Sequence, residues 1–321
     1  MAPMAEQTTN HSIPRFVEAT EAEQGQRLDN FLIARLKGVP RSRIYRILRK
    51  GEVRVNKGRV SPSYRIEIGD SIRIPPIRMS EEDAPATKPA AGLLERLERS
   101  ILFEDERFLV VNKPAGLAVH GGSGLDYGLI EAFRAMRPEQ RELELVHRLD
   151  RDTSGCLLVA KKRSALRILH GLMREGAVTK RYLALLAGKW PRDKVNVDAP
   201  LRKNTLQGGE RVVRVDPTGK EALTRFGVVE RLGGYTLVDA LLVTGRTHQI
   251  RVHSTHLGTP ICGDAKYGNE GVNAELRKKG LNRLFLHAAE LRFRWPDEKA
   301  DRVFTAPLDE SLDALLRRLR G

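Results

Sequence analysis

Residues Leu145–Gly155 read LVHRLDRDTSG, and the fold turns on how that stretch is read. Within it, His147, Arg148, Asp150, Arg151 and Asp152 fall inside six consecutive positions. The apolar-leaning Leu143-Glu144-Leu145-Val146 leads in, and Cys156-Leu157-Leu158-Val159-Ala160 leads out. Both runs suit strands, so the charged residues form a bend at a strand end, where sites are commonly assembled on a rigid scaffold. On its own, a charged bend is more often a solvated surface turn. What surrounds it must decide.

Working outward, Phe108–Val111 reads as a buried strand, followed by the turn Asn112-Lys113-Pro114-Ala115-Gly116 and then His120-Gly121-Gly122-Ser123-Gly124. That glycine-rich loop lacks the strand–GxGxxG–helix or GKS context of a phosphate cradle. It also lacks a GxSxG nucleophile turn to serve as an oxyanion loop, so it is read as a turn that lets backbone approach the site. Downstream, Ser164–Glu175 carries helical spacing at Leu166, Leu169 and Leu172, and Thr179–Leu185 opens a strand. Tyr182 in that strand is by itself a packing residue. Residues 195–234 supply further strands and basic turns, and Leu308–Leu319 reads as an amphipathic helix. His248, His253 and His256 crowd the patch Leu241–His256, yet no HExxH motif, cysteine pair or paired carboxylates accompany them. No metal site is expected there.

The N-terminal part is different in character. Residues 1–14 read as a flexible lead. Leu28, Phe31, Leu32 and Leu36 then mark a helix, and Arg41–Lys50 a second one with Ile44, Ile47 and Leu48 facing in. Gly51 stops it, Val53 and Val55 alternate as a strand, Asn56-Lys57-Gly58 turns the chain, and Ile66–Ile74 completes a small β part. From Gln26 to Arg59 there are eleven Lys and Arg against two acids. Residues 76–92 carry proline, alanine and mixed charge without periodicity, which predicts a linker between a small domain over 15–75 and a large one over 93–321.

The whole chain of 321 residues has a net charge of +15, which calls for a polyanionic partner. Nucleic acid fits better than a membrane surface, because no aromatic, amphipathic anchor is present. No apolar run approaches the roughly 18 residues of a membrane span. Met1–Ser12 lacks an apolar signal core, and the two cysteines, Cys156 and Cys262, stand far apart. A cytoplasmic protein without disulfides is expected. No heptad seam indicates assembly, so a monomer is expected.

His-Arg-Leu-Asp-x-x-Thr-Ser-Gly over 147–155 resembles the catalytic motif of the RluA family of pseudouridine synthases. The resemblance implies that Asp150 attacks the target uridine. Lys-x-Tyr at 180–182 is similar to the family's second motif and implies that Tyr182 packs beside the flipped base. Gly-Arg-Thr-His-Gln-Ile-Arg at 245–251 is similar to the third, whose arginine pairs with the aspartate; Arg246 is assigned that role, with Arg251 as the alternative. Arg283–Ala288, RLFLHA, resembles the hydrophobic element of the uracil pocket, with Leu286 as its wall. Arg148 is expected on a phosphate or in the gap left by the flipped nucleotide, with His147 and Arg251 also on the substrate. GQRLDNFL and SRIYRILRKGEVRVNKGRV resemble an S4-type RNA-binding module. In it Arg41, Arg43, Arg46, Arg49, Lys50, Lys57 and Arg59 would meet phosphates, which gives affinity but little sequence choice.

The resemblance covers about residues 25–320, nearest the family's large-subunit (23S) rRNA class. It implies an α+β protein: a mixed, mainly antiparallel central sheet flanked by helices, plus a small α/β S4-type domain. The reaction detaches uracil from ribose, rotates it and rejoins it through C5. Nothing is added or removed, so no cofactor or metal is expected. Asp150 can act on the ribose directly or by taking a C2′ proton to give a glycal. The alternatives are a tRNA uridine synthase, an S4-bearing ribosome-assembly factor without chemistry, and a nucleotide hydrolase or lyase using an Asp/His pair.

Overall fold

A computed structural model describes residues 14–21, 23–36, 39, 41–77, 91–121, 127–140, 142–190, 192–205 and 211–321. They form two units, one built from the described residues up to Ile77 and the other from those beginning at Ala91. Among the described residues no helix is long and apolar enough to cross a membrane.

The small unit contains β1 (Arg15–Glu18), α1 (Leu28–Arg35), α2 (Arg41–Lys50), β2 (Arg54–Val55) and β3 (Ser71–Ile74). The strands pair antiparallel in the order β1-β3-β2. Leu28, Phe31 and Leu32 of α1 and Ile44, Ile47 and Leu48 of α2 are all buried in one core, as helical spacing requires. Gly51 ends α2 at a φ of +69°, where a residue with a Cβ would be strained. Two features differ from the sequence reading. Strand β1 has no sequence signal, because four residues show no period and Phe16 faces solvent. Ile77, which composition assigns to the linker, is buried in the small core.

The large unit runs α3 (Ala91–Glu98), β4 (Ile101–Glu104), β5 (Phe108–Lys113), α4 (Leu129–Met136), β6 (Glu144–Leu145), β7 (Ser154–Ala160), α5 (Arg163–Arg174) and β8 (Thr179–Ala187). Then come β9 (Lys194–Asp198), β10 (Leu201–Thr205), β11 (Arg211–Val215), β12 (Leu223–Leu232) and β13 (Tyr235–Leu242). The chain closes with α6 (Gln249–His256), α7 (Glu270–Lys278), β14 (Leu286–Arg294), β15 (Asp301–Thr305) and α8 (Glu310–Arg320). One sheet carries the order β4-β5-β7-β14-β8-β13-β12-β9, with β15 beside β14 and β6 beside β7; β10 and β11 form a separate hairpin. Among the described residues every pairing is antiparallel except β14 with β7, so the sheet is mixed and mainly antiparallel.

Strands β5 and β7 are apolar on both faces because both faces are covered. Leu109, Val111, Leu157 and Val159 join one core with Phe133 of α4 and Leu315 of α8. Their alternates Phe108, Val110, Cys156 and Leu158 join another with Leu169 of α5 and the ring cluster Phe293, Trp295 and Phe304. Strand β14 lies between β7 and β8, and it meets β7 only at His287 opposite Ser154 and Ala288 opposite Gly155. At Gly155, with φ of +108°, a Cβ would stand 2.2 Å from the Ala288 carbonyl oxygen. The bend just before β7 is thereby pressed against the centre of the sheet.

Candidate active site

The bend from His147 to Thr153 is fastened from both sides. The Leu158 N–H donates to His147 Nε2 at 3.1 Å, which requires a bare ring nitrogen. Burial, helped by the charge of Lys180, pushes the His147 pKa down to about 4, so the ring stays neutral. On the other side Lys113, fully buried, donates from Nζ to the carbonyls of Pro114, Leu117 and Arg151 at 2.9, 2.8 and 3.0 Å. Burial and then Arg283 push the Lys113 pKa down to about 7, opposed by Asp152 and Asp150. Three carbonyl acceptors nevertheless call for three protons, and this bonding is that of the ammonium form. The Gly116 N–H donates to the Arg151 carbonyl as well, so the NKPAG turn and the bend are laced together.

Asp150 faces a cavity of about 550 Å³ lined in part by Arg148, Tyr182, His248, Arg251 and Leu286. Two side chains converge on its Oδ2, Arg251 Nη1 at 3.5 Å and His248 Nε2 at 3.7 Å. Arg251 is itself held by Asp264, which accepts from Nε and Nη2 at 2.8 Å each. Burial works to raise the Asp264 pKa, but Arg251 and the N–H groups of Tyr267 and Lys266 overcome it and hold it below the usual carboxylate range. The guanidinium also lies over the Tyr267 ring, 5.0 Å from its centre.

The partner of Asp150 is therefore Arg251, and the assignment of Arg246 to that position is corrected. Gln249, buried, accepts from the Arg246 N–H at 2.9 Å and donates to the Leu223 carbonyl and Thr224 hydroxyl. This pins the Arg246 backbone ahead of α6, and the exposed side chain turns to the Glu221 carbonyl at 2.9 Å. Arg246 stays on the cavity rim, while Arg251 lies on the buried face of α6.

Tyr182 sits mid-strand in β8 with alanine on both sides, Ala240 and Ala288, which leaves its ring room toward the cavity. Burial, then the charge of Asp150, pushes its phenol pKa above the ordinary value. Leu286, the first residue of β14, is buried in the wall, and Arg148 is exposed at the mouth. His147 also lines the cavity, but its Nε2 is taken by the backbone of β7, so its main bond is structural. The other two histidines of the dense patch go elsewhere. His253 is buried between the Thr224 hydroxyl and the Ala199 carbonyl, and His256 is exposed. Residues 122–124 of the glycine-rich loop lie outside the described residues.

In the small unit Arg49, Lys50, Lys57 and Arg59 are exposed and Arg43 and Arg46 half-buried; the Arg41 side chain lies outside what is described. Arg59 also donates to the Arg49 carbonyl, closing the C-terminus of α2. Sequence reasoning leaves out Lys113, Asp264 and Tyr267 and gives His248 only a metal reading. The spacing of His248 and Arg251 across a helix start could have signalled a shared face, but nothing local marks Asp264, thirteen residues further on.

Residues 107–256 match the family described as RNA pseudouridylate synthase, and residues 26–72 match the S4 domain. The chain is 56% identical to the ribosomal large subunit pseudouridine synthase C of Escherichia coli (strain K12), over 96% of this chain and 97% of that one. It is 53% identical to the protein of the same name from Haemophilus influenzae, over 100% and 99% of the two chains. Among solved structures, human RNA pseudouridylate synthase domain containing 4 superposes with a TM-score of 0.59 at 26% identity, over 71% of this chain and 96% of that one.

Proposed function

We propose that this chain, which belongs to the RNA pseudouridylate synthase family, isomerises uridines of large-subunit ribosomal RNA to pseudouridine with Asp150 as its nucleophile. The observation that carries the reading is the pairing of Asp150 with Arg251 at the floor of a cavity walled by Tyr182 and Leu286. A carboxylate withdrawn from water needs a countercharge, and Arg251 supplies it without closing the pocket. Because Arg251 and His248 both approach Oδ2, Oδ1 is the oxygen left for the substrate.

The target nucleotide is turned out of its stack, at a cost of a few kcal/mol, and Arg148 at the mouth meets its phosphate or the gap it leaves. The C1′–N1 bond breaks, uracil rotates against Tyr182 and Leu286, and a C1′–C5 bond forms. C5 gives up its proton and N1 takes one, so atoms and charge balance without a co-reactant. Attack at C1′ yields an ester of Asp150; removal of the C2′ proton yields a glycal, and a deuterium isotope effect at C2′ belongs to the second route alone. In the ester route the carboxylate loses its charge when the bond forms. That charge is one of the causes raising the Tyr182 pKa, so its loss lets that pKa fall and makes the phenolate, the form able to take the C5 proton, easier to reach once the intermediate exists.

Asp150, Tyr182 and Arg251 come from one chain, so a monomer suffices, and the S4 module supplies charge attraction to RNA. The reaction belongs in the cytoplasm, with ribosomal RNA. Tritium release from transcripts labelled at uridine C5 tests the assignment. Asp150→Asn should lose turnover by roughly a thousandfold or more while RNA affinity stays within a few-fold. Substantial turnover in that variant sinks the nucleophile. Pseudouridine mapping on large-subunit rRNA from cells with and without the protein tests the substrate; an unchanged map with a changed tRNA map moves the reading to tRNA.

A further inference from the structure

His248 has a backbone φ of +55°; among the described non-glycine residues only Asn56 and Lys57, in a turn of the small unit, share a positive value. It is the residue before α6, and nothing in a helix start asks for a left-handed histidine. Strain of this kind persists where the surrounding structure fixes it, and the reason here is read from what the ring touches.

Nδ1 lies 2.8 Å from the Tyr267 hydroxyl and Nε2 lies 3.7 Å from Asp150 Oδ2. The Tyr267 hydroxyl also receives the Val213 N–H of β11 at 3.0 Å. A backbone N–H can only donate, so Tyr267 accepts there and keeps its own proton for donation, with Nδ1 as the acceptor within reach. Nδ1 is then bare and the ring proton sits on Nε2, aimed at Asp150. The opposite tautomer would set the Nε2 lone pair against a carboxylate oxygen. Burial, with Arg251 and Lys266 adding to it against the pull of Asp150, lowers the imidazole pKa, so the ring is neutral.

We infer that His248 is a positioning residue of the reaction centre: a neutral imidazole whose tautomer is set by Tyr267 and whose Nε2–H, with Arg251, presents Asp150 to the ribose. The inference rests on Asp150 being the nucleophile. The approaches of His248 Nε2 at 3.7 Å and Arg251 Nη1 at 3.5 Å to Asp150 are long for hydrogen bonds and are expected to tighten when substrate fills the cavity. The charged groups around the ring are Asp150 from the bend, Arg251 from α6, and Asp264 and Lys266 from the connection to α7. The chain Val213–Tyr267–His248–Asp150 also ties the β10–β11 hairpin to the attacking carboxylate.

Tyr267→Phe in the full chain keeps the ring beneath the Arg251 guanidinium and removes only the hydroxyl. It should lower kcat about tenfold near pH 8 with KM within about twofold, the scale of a misplaced reacting group. As the pH falls the deficit should shrink, because an imidazolium carries the Nε2 proton without help from Tyr267. His248→Asn keeps a residue at home in the left-handed region but shortens the arm, and should lose more. Combined with it, Tyr267→Phe should cost nothing extra. Asp150→Asn, run alongside, should be inactive. With Asp150→Asn inactive, a Tyr267→Phe enzyme of wild-type kcat, a pH-independent deficit, or additive losses each overturn the role of His248. Turnover in Asp150→Asn overturns the reading of Asp150 beneath it.

Discussion

Burying the Arg251 guanidinium takes a positive charge out of water, and Asp264 supplies its counterpart at 0% side-chain exposure. Removing one member of such a pair costs about 3–5 kcal/mol, because the other is left uncompensated. The pair keeps Arg251 in place whether or not Asp150 is charged or covalently engaged. His147 shows the same economy with a neutral group. Its pKa of about 4 lies below the roughly 6.5 of an unfolded histidine, so the unfolded chain takes up a proton that the folded chain refuses. Its contribution to stability is full above about pH 6.5 and is lost as the pH falls through about 4. His147→Gln retains an acceptor for the Leu158 N–H and cannot titrate. Its urea midpoint should therefore fall less than that of the wild type between about pH 6.5 and 4. An equal fall in both would remove His147 as a cause. The spelling of the motifs brings Asp150, Tyr182 and Leu286 to one cavity. It does not say which arginine of the pair at 246 and 251 turns inward, because that depends on a left-handed His248 and on a glutamine bonded to another strand.

Elements with a clear period are readable from the sequence. Helical spacing puts α2 at Arg41–Lys50 and α5 within one residue of Arg163–Arg174, since each buries one stripe. The order of strands is not readable, because an apolar run such as β7 names no neighbour. That β14 lies parallel to β7 follows from pairing across more than a hundred residues. Gly155 is where this matters most. Gly155→Ala brings a Cβ to 2.2 Å from a backbone oxygen that cannot move without shifting β14. A cost of at least about 3 kcal/mol, or failure to fold, is expected, whereas Gly227→Ala on β12 should stay within about 1 kcal/mol. At Gly227 an added Cβ meets nothing within 4 Å. Thermal melts of the two variants make the comparison, and equal melting points would show that β14 yields.

For the molecule as a whole, charge is the property that reaches beyond the site. Of the net +15, much is concentrated between Gln26 and Arg59, in the S4 module. Replacing Lys50 and Lys57, both exposed, by Gln in the full chain should flatten the salt dependence of RNA binding. The slope should fall by about 0.7–0.9 log units per log salt for each phosphate that these lysines neutralise. KM should rise while kcat holds; an unchanged slope would show that these lysines do not meet phosphates. The central place of β14 has a consequence in time. When the ribosome has made the chain as far as β13, the aspartate bend and the strand bearing Tyr182 already exist, but as two separate halves of one sheet with open edges. Only when residues 286–294 emerge can one strand join them and bring Leu286 to the wall. Until β14 is in place, nothing among the described residues of the sheet holds the bend of Asp150 and the strand of Tyr182 at one cavity.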